Sequence, residues 1–308
     1  MTLHPHARAF LDIVKDAPPL DTQTAEQNRA DLENALPLTG EAASLPVVED
    51  RRIAGVGVRV YSPRPLDEAL PAVVYFHGGG WVLGDLEIAD TTARAIAVAA
   101  DATVISVDYR KAPEDPFPAA VEDALAVTTA VLTGEAGFPL DVRRVAVAGD
   151  SAGGNLAAVT AQQLAGAHPG LVHQALIYPA VDARMPREGS YLTYAKGHFL
   201  TARDMAYFFD TYAPGVDRAD VRLSPAASAS LAGLPSATIV TAECDPLHDE
   251  GVAYANALGA AGVPVVSVTF DGLVHPFVYM GGVIGPAHTA RRMIGAELRA
   301  AFAAVPGA

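Results

Sequence analysis

A serine held between glycines is the first place in this chain where residue type and spacing could do chemistry. Gly149-Asp150-Ser151-Ala152-Gly153-Gly154 follows a short apolar run, 144–148, and precedes a helix-like run, 155–164. A sharp strand-to-helix turn of this kind exposes the hydroxyl of its central serine, and it requires small residues at i−2 and i+2 where strand and helix nearly touch. The chain holds 27 glycines, so the bare pattern carries modest weight alone. A serine hydroxyl is a weak nucleophile at neutral pH and needs a base, an acid to orient the base, and donors for the oxyanion that develops on the attacked carbonyl.

Candidates for each partner occur at the ends of other apolar runs. Among nine histidines, His248, His275 and His288 are late in the chain. His275 directly follows the last strand-like run, where loops carry function in such sheets, whereas His248 and His288 fall at or inside helical runs. The acid is sought in Thr241-Ala242-Glu243-Cys244-Asp245-Pro246-Leu247-His248-Asp249-Glu250. Asp245 is the acid nearest the strand end that remains consistent with a loop, and as an aspartate before proline it also suits a plain turn role. Asp249 and Glu250 fit the first turn of the next helix, where acids favour the dipole. His77-Gly78-Gly79-Gly80-Trp81 supplies side-chain-free backbone for an oxyanion hole, assigned to the N–H groups of Gly78, Gly79 and Ala152. His77 is read as a brace for that loop, with Gly80 and Asp150 as motif support and Trp81 as packing. The glycine loop has neither the G-x-G-x-x-G spacing nor the Lys-Ser/Thr that a phosphate loop requires.

These residues need a frame that brings distant strand ends together. Strand-like runs at 47–48, 58–61, 72–76, 102–107, 145–148, 175–178, 237–240 and 265–268 alternate with helical runs near 88–100, 119–132, 155–164, 250–261 and 286–303. The runs are short and apolar on both faces, which predicts an α/β fold with a mostly parallel sheet of about eight strands covered by helices. Two segments break the alternation. Residues 1–45 read as helical before the first strand, and 183–222 form an insert rich in tyrosine and phenylalanine, longer than an ordinary connection. The expected organisation is an N-terminal helical cap segment at 1–45 and a catalytic domain at 46–308 that contains a cap insert at about 183–222. The insert is either a local helical subdomain or a lid over the strand ends, and these readings are compatible.

Composition bounds the partners. Hydrophobic residues make up 51% of 308 and charged residues 18%, as expected of a protein with a large buried core. A net charge of −14 opposes binding to nucleic acid or an anionic membrane. The N-terminal residues show no signal-peptide pattern, and no apolar run reaches the ~18 residues of a membrane span. Cys244 is the only cysteine, which excludes an internal disulfide and suits a cytoplasmic location. Metal and nucleotide motifs are absent, and no cofactor is expected.

Together these motifs resemble the hormone-sensitive-lipase-like family of bacterial esterases, a branch of the α/β-hydrolase fold. The likeness runs from about Val47 to the C-terminus and adds Asp108-Tyr109-Arg110-Lys111-Ala112-Pro113-Glu114 and Pro116-Phe117-Pro118-Ala119-Ala120 to the segments above. It implies a triad of Ser151, Asp245 and His275, a helical cap, a preference for short-acyl esters, and a homodimer through the edge of the last strand. The chain departs from the family in two places: His275-Pro276-Phe277 replaces His-Gly-Phe, and Lys111 replaces a leucine. The expected activity is that of a serine carboxylesterase acting on small to medium neutral esters. Two alternatives stay open. One is a related acyl hydrolase (arylformamidase, amidase or lactonase), with the His-Gly-Gly-x-Trp form at 77–81 favouring the first. The other is a non-enzymatic small-ligand receptor on the same fold.

Overall fold

A computed structural model describes residues 2–307. Its centre is an eight-stranded sheet in the order β1-β2-β4-β3-β5-β6-β7-β8. The strands are β1 (Val47–Ile53), β2 (Val56–Ser62), β3 (Leu70–Phe76), β4 (Thr103–Asp108), β5 (Leu140–Asp150), β6 (Leu171–Ile177), β7 (Ser236–Cys244) and β8 (Val265–Val274). β1 and β2 form an antiparallel hairpin, and β2 also runs antiparallel to β4. The remaining pairs are parallel. Every residue of β3 is buried, as a parallel strand covered on both faces should be.

The helices divide between the two faces. α3 (Leu86–Ala100) and α9 (Pro286–Ala303) pack together on one side, where Ile96, Ile294 and Leu298 join Val73 and Tyr75 in one core. α4 (Ala119–Leu132), α5 (Ala152–Leu164) and α8 (His248–Ala260) cover the other, where Val127, Leu156 and Leu258 pack with Val74 and Phe76. Local chemistry starts several of these helices. Asp85 caps α3 by accepting from the N–H groups of Glu87 and Ile88.

The strand order reverses at β3: the chain steps to β4 on one side, then crosses to β5 on the other. That switch leaves a crevice at the carboxyl ends of β3 and β5, where ligands bind in open α/β sheets. The register closes this edge, with Phe76 opposite Gly149, Asp150 opposite Ile177 and Cys244 opposite Val274. The residues that follow are the glycine loop, Ser151, Asp245 and His275.

The two irregular segments meet above that edge. The N-terminal one carries α1 (Pro5–Val14), α2 (Ala25–Leu32) and two short 3-10 turns. The insert carries α6 (Gly189–Thr193) and α7 (Ala202–Tyr212). Thr24 with Gln27 opens α2, and Thr201 with Asp204 opens α7, each through a reciprocal capping box. Asn28 donates to Leu20 O and to Tyr207 Oη, Arg203 pairs with Asp21, and Phe10 packs on Phe199 at 5.2 Å between ring centres. Arg29 then ties α2 to the sheet side. Its guanidinium donates to Val82 O and Ala112 O and makes a two-pronged pair with Glu114 at 2.8 and 2.7 Å.

Candidate active site

The turn after β5 explains the glycines around Ser151. Ser151 has φ 56° and ψ −119°, a conformation that side-chain-bearing residues rarely adopt. Its N–H donates to Ile177 O at 2.8 Å, and its carbonyl accepts from Asn155 and Ala180. A Cβ on Gly149 would lie 2.3 Å from Gly153 O, and one on Gly153 would lie 1.9 Å from Phe76 O. Strand and helix therefore touch backbone to backbone here, and a methyl group at either position would force them apart. The geometry aims the hydroxyl into the crevice at the head of α5.

Ser151 Oγ lies 3.0 Å from His275 Nε2, and His275 Nδ1 lies 2.7 Å from Asp245 Oδ2. Three residues separated by 94 and 30 positions thus form one hydrogen-bonded line. Asp245 is completely buried, and His275 and Ser151 are nearly so. Asp245 Oδ1 also accepts from Leu247 N–H at 2.9 Å. The turn role and the role of holding an imidazole thus use different oxygens of one carboxylate. Asp249 is engaged elsewhere: it accepts from Ser190 N–H and contacts His248. His288 donates from Nε2 to Gly281 O at 3.0 Å. The ring of Tyr178, itself at φ 34°, lies 4.4 Å from the His275 ring and packs against it.

The glycine loop does not leave all of its N–H groups open. Gly78 N–H was expected among the oxyanion donors, but it is already engaged, shared between Asp150 Oδ1 and Tyr279 Oη at 3.0 Å each. The N–H groups of Gly79, Gly80 and Ala152 have no such partner among the described residues. Gly79 has φ +121°, open only to glycine without strain, and this turn lets Val82 and Leu83 N–H close on its carbonyl. Gly80 is small for another reason: the ring of Phe208 from α7 occupies the space of a Cβ, 2.1 Å from it. His77 is fully buried and donates through Nδ1 to Gly78 O, while Tyr109 Oη donates to His77 O and stacks on its ring. Burial pushes its imidazole down to about 4, so it is neutral at physiological pH. Trp81 is buried in a stack with Tyr212 at 4.7 Å. Lys111 pairs with Asp108, and His275-Pro276 precedes a turn in which Phe277 N–H reaches Val274 O.

Two buried carboxylates carry more structure than their positions in the motifs foretold. Asp150 accepts from Tyr75 Oη at 2.8 Å, from Gly78 N–H and from Tyr279 Oη. Burial pushes its carboxyl up to about 6, against the pull of those donors. Glu250 accepts from the N–H groups of Val181 and Asp182 at 2.6 and 3.1 Å, and burial pushes it up to about 8. Nothing in a one-residue motif position announces such networks, because their donors come from strands and loops far away in sequence. Among the described residues there is no cluster of histidine, cysteine and carboxylate groups that could hold a metal ion. No described helix is long and apolar enough to cross a membrane.

A serine on a strained turn after β5, in hydrogen-bonded line with a histidine after β8 and an aspartate after β7, is the arrangement of the α/β-hydrolase class. A family model described as alpha/beta hydrolase fold matches residues 73–279. An ethyl acetate hydrolase of Pseudomonas putida is 37% identical over 306 residues, covering 93% of this chain and 95% of its own. Esterase LipI of Mycobacterium tuberculosis is 42% identical over 260 residues, 82% of this chain and 80% of its own. Among solved structures, a hyperthermophilic esterase from the archaeon Pyrobaculum calidifontis superposes with a TM-score of 0.92 at 38% identity, covering 97% of this chain and 99% of that one. The chain belongs to the α/β-hydrolase family, in its hormone-sensitive-lipase-like esterase branch.

Proposed function

We propose that Ser151, His275 and Asp245 are the nucleophile, base and acid of a serine carboxylesterase whose substrates are small to medium neutral esters with short acyl groups. The protein is a carboxylic-ester hydrolase. The single observation that carries the residue assignment is the unbroken line Ser151 Oγ–His275 Nε2–Asp245 Oδ2, with contacts of 3.0 and 2.7 Å. In the reaction, His275 Nε2 takes the Ser151 proton as Oγ attacks the ester carbonyl carbon. Asp245 holds Nδ1–H, fixes the tautomer and stabilises the imidazolium. The carbonyl π electrons move to oxygen, and the N–H groups of Gly79, Gly80 and Ala152 receive that charge. Each such donor is worth roughly 3 kcal/mol in related sites. His275 gives its proton to the departing alcohol. Water then enters by the same route, and the acyl group leaves as the carboxylic acid.

The N-terminal segment and the insert act as a cap that bounds the substrate. Support comes from the Phe208 ring against Gly80 and from Arg29, which fastens α2 beside the glycine loop. The ethyl acetate hydrolase relative is named for a two-carbon acyl group, in keeping with a narrow cap. A homodimer through β8, which forms one edge of the sheet, completes the reading, and light scattering of the eluting protein checks it. The lone buried Cys244 supports a cytoplasmic location.

Ser151→Ala tests the assignment. Turnover of a short p-nitrophenyl ester should fall by roughly 10³-fold or more with the circular dichroism spectrum unchanged. Retention of full activity would remove the mechanism. Running an arylformamide, a lactone and an amide beside the esters separates the carboxylesterase from its acyl-hydrolase relatives.

A further inference from the structure

We infer that Asp150 is a positioning residue that fixes the oxyanion loop relative to Ser151 and His275, an assignment that rests on the esterase reading above. One oxygen of one side chain joins three separate arms of the site. Asp150 Oδ1 accepts from Tyr75 Oη at the end of β3, from Gly78 N–H in the glycine loop, and from Tyr279 Oη four residues beyond His275. Asp150 itself immediately precedes Ser151. Nucleophile turn, oxyanion loop and base loop therefore meet at a single acceptor, which is 1% exposed.

The surroundings are built to hold that acceptor in place. A Cβ on Gly78 would lie 2.2 Å from Asp150 Oδ2, so the loop backbone rests directly against the carboxylate. Gly78 N–H also reaches Tyr279 Oη at 3.0 Å, which closes a ring of three groups around one proton-rich point. Tyr279 is anchored from behind: Arg291 on α9 is buried and donates to Val278 O at 2.8 Å and Tyr279 O at 2.9 Å. Loss of the acceptor would leave two tyrosine hydroxyls without it in a dry interior and Gly78 N–H with only Tyr279 Oη, itself released from Asp150, and the loop would rotate to find other partners. Gly79 follows Gly78, so that rotation re-aims the very N–H groups assigned to the oxyanion. Such donors act only when charge develops, so their misplacement lowers kcat more than it raises KM. Asparagine presents a carbonyl oxygen of the same reach, so it keeps an acceptor at this point.

The experiment compares Asp150→Ala, Asp150→Asn and Tyr279→Phe with wild type and with Ser151→Ala. Steady-state kinetics on a short p-nitrophenyl ester are paired with amide hydrogen exchange of the peptide spanning 77–84. Asp150→Ala should lose roughly 100-fold in kcat, the scale of one misplaced oxyanion donor, with KM within about threefold. Its 77–84 peptide should exchange faster. Asp150→Asn should recover kcat to within about fivefold and restore slow exchange, and Tyr279→Phe (which keeps the carboxylate) should fall between them. The proposal is overturned if Asp150→Ala keeps kcat within threefold, if its exchange at 77–84 is unchanged, or if Asp150→Asn is as impaired as alanine. Should alanine at 150 fail to fold, Tyr279→Phe must still show the selective loss in kcat and the faster exchange. Wild type no faster than Ser151→Ala would remove the esterase reading instead, and the exchange data would still report whether Asp150 holds the loop.

Discussion

The carboxyl edge of the sheet and the proposed cap above it are built on opposite principles. At the edge, the candidate groups sit on the first residues after β3, β5, β7 and β8, and their positions follow from strand register and backbone contact. Hydrogen bonds between buried polar atoms fix them: Asp245 to His275, Asp150 to Gly78, His77 to Gly78. The cap is held by aromatic packing and a few polar clamps. Trp81 stacks on Tyr212, Phe208 covers Gly80, Phe10 meets Phe199, and Arg29 reaches Glu114. A buried hydrogen-bonded network tolerates little displacement, whereas apolar contacts can be repacked at modest cost. Chemistry should therefore depend steeply on the edge, and substrate choice gradually on the cap.

The edge can be broken hardest through the acid. Asp245→Asn should reduce kcat by roughly 10⁴-fold, because an amide at this position favours the wrong imidazole tautomer. Asp249→Asn should cost far less, since Asp249 serves Ser190 N–H and His248 at the foot of the cap. A larger loss at 249 than at 245, measured side by side on one ester, would reverse the assignment of the acid.

The cap is sharpened by a change of selectivity. Phe208→Ala removes the ring that stands on Gly80, beside a proposed oxyanion donor. The ratio of kcat/KM for an octanoate ester to that for an acetate ester should rise about tenfold, the scale set by apolar volume in a pocket. The acetate rate itself should change little. Equal losses on both esters would show that Phe208 supports the glycine loop without bounding the substrate.

This contrast also governs what could be read from the sequence. Backbone-determined positions leave marks in it: glycines at 149 and 153 where strand meets helix, a histidine directly after the last strand, and alternating apolar runs for the sheet. Asp245 directly follows β7, so its place in the proposed line also depends on a strand end. Three successive glycines look alike in sequence. Only the fold reveals that the first faces Asp150 and Tyr279. The three donors to Asp150 come from positions 75, 78 and 279, and no local pattern links them. The aromatic insert was visible as a composition change, but the placement of Phe208 on Gly80 depends on how α7 lies across the loop.

Glu250 lies on the seam between the two regions, and it offers the smallest and most discriminating test. Its carboxylate accepts the N–H groups of Val181 and Asp182, where the chain leaves β6 for the insert, and it stands five residues after Asp245. Burial raises its pKa to about 8 from 4.5, with Asp182 and Asp245 nearby adding to the rise. The sign follows from proton counting. Between pH 4.5 and 8 the unfolded chain has lost this proton while the folded chain keeps it, so the stabilisation present below 4.5 declines as pH rises through 8. The slope from this one group is at most about 1.4 kcal/mol per pH unit. Glu250→Gln keeps the acceptor for Val181 and Asp182 and removes the titration. Its Tm should match wild type near pH 5 and exceed it by several degrees near pH 8, at roughly 2 °C per kcal/mol for a chain of this size. Parallel Tm curves across that range would mean that the seam is already ionised and held by its two N–H donors. The cap would then be fastened to the edge by the same kind of charged hydrogen bonding that fixes the edge itself.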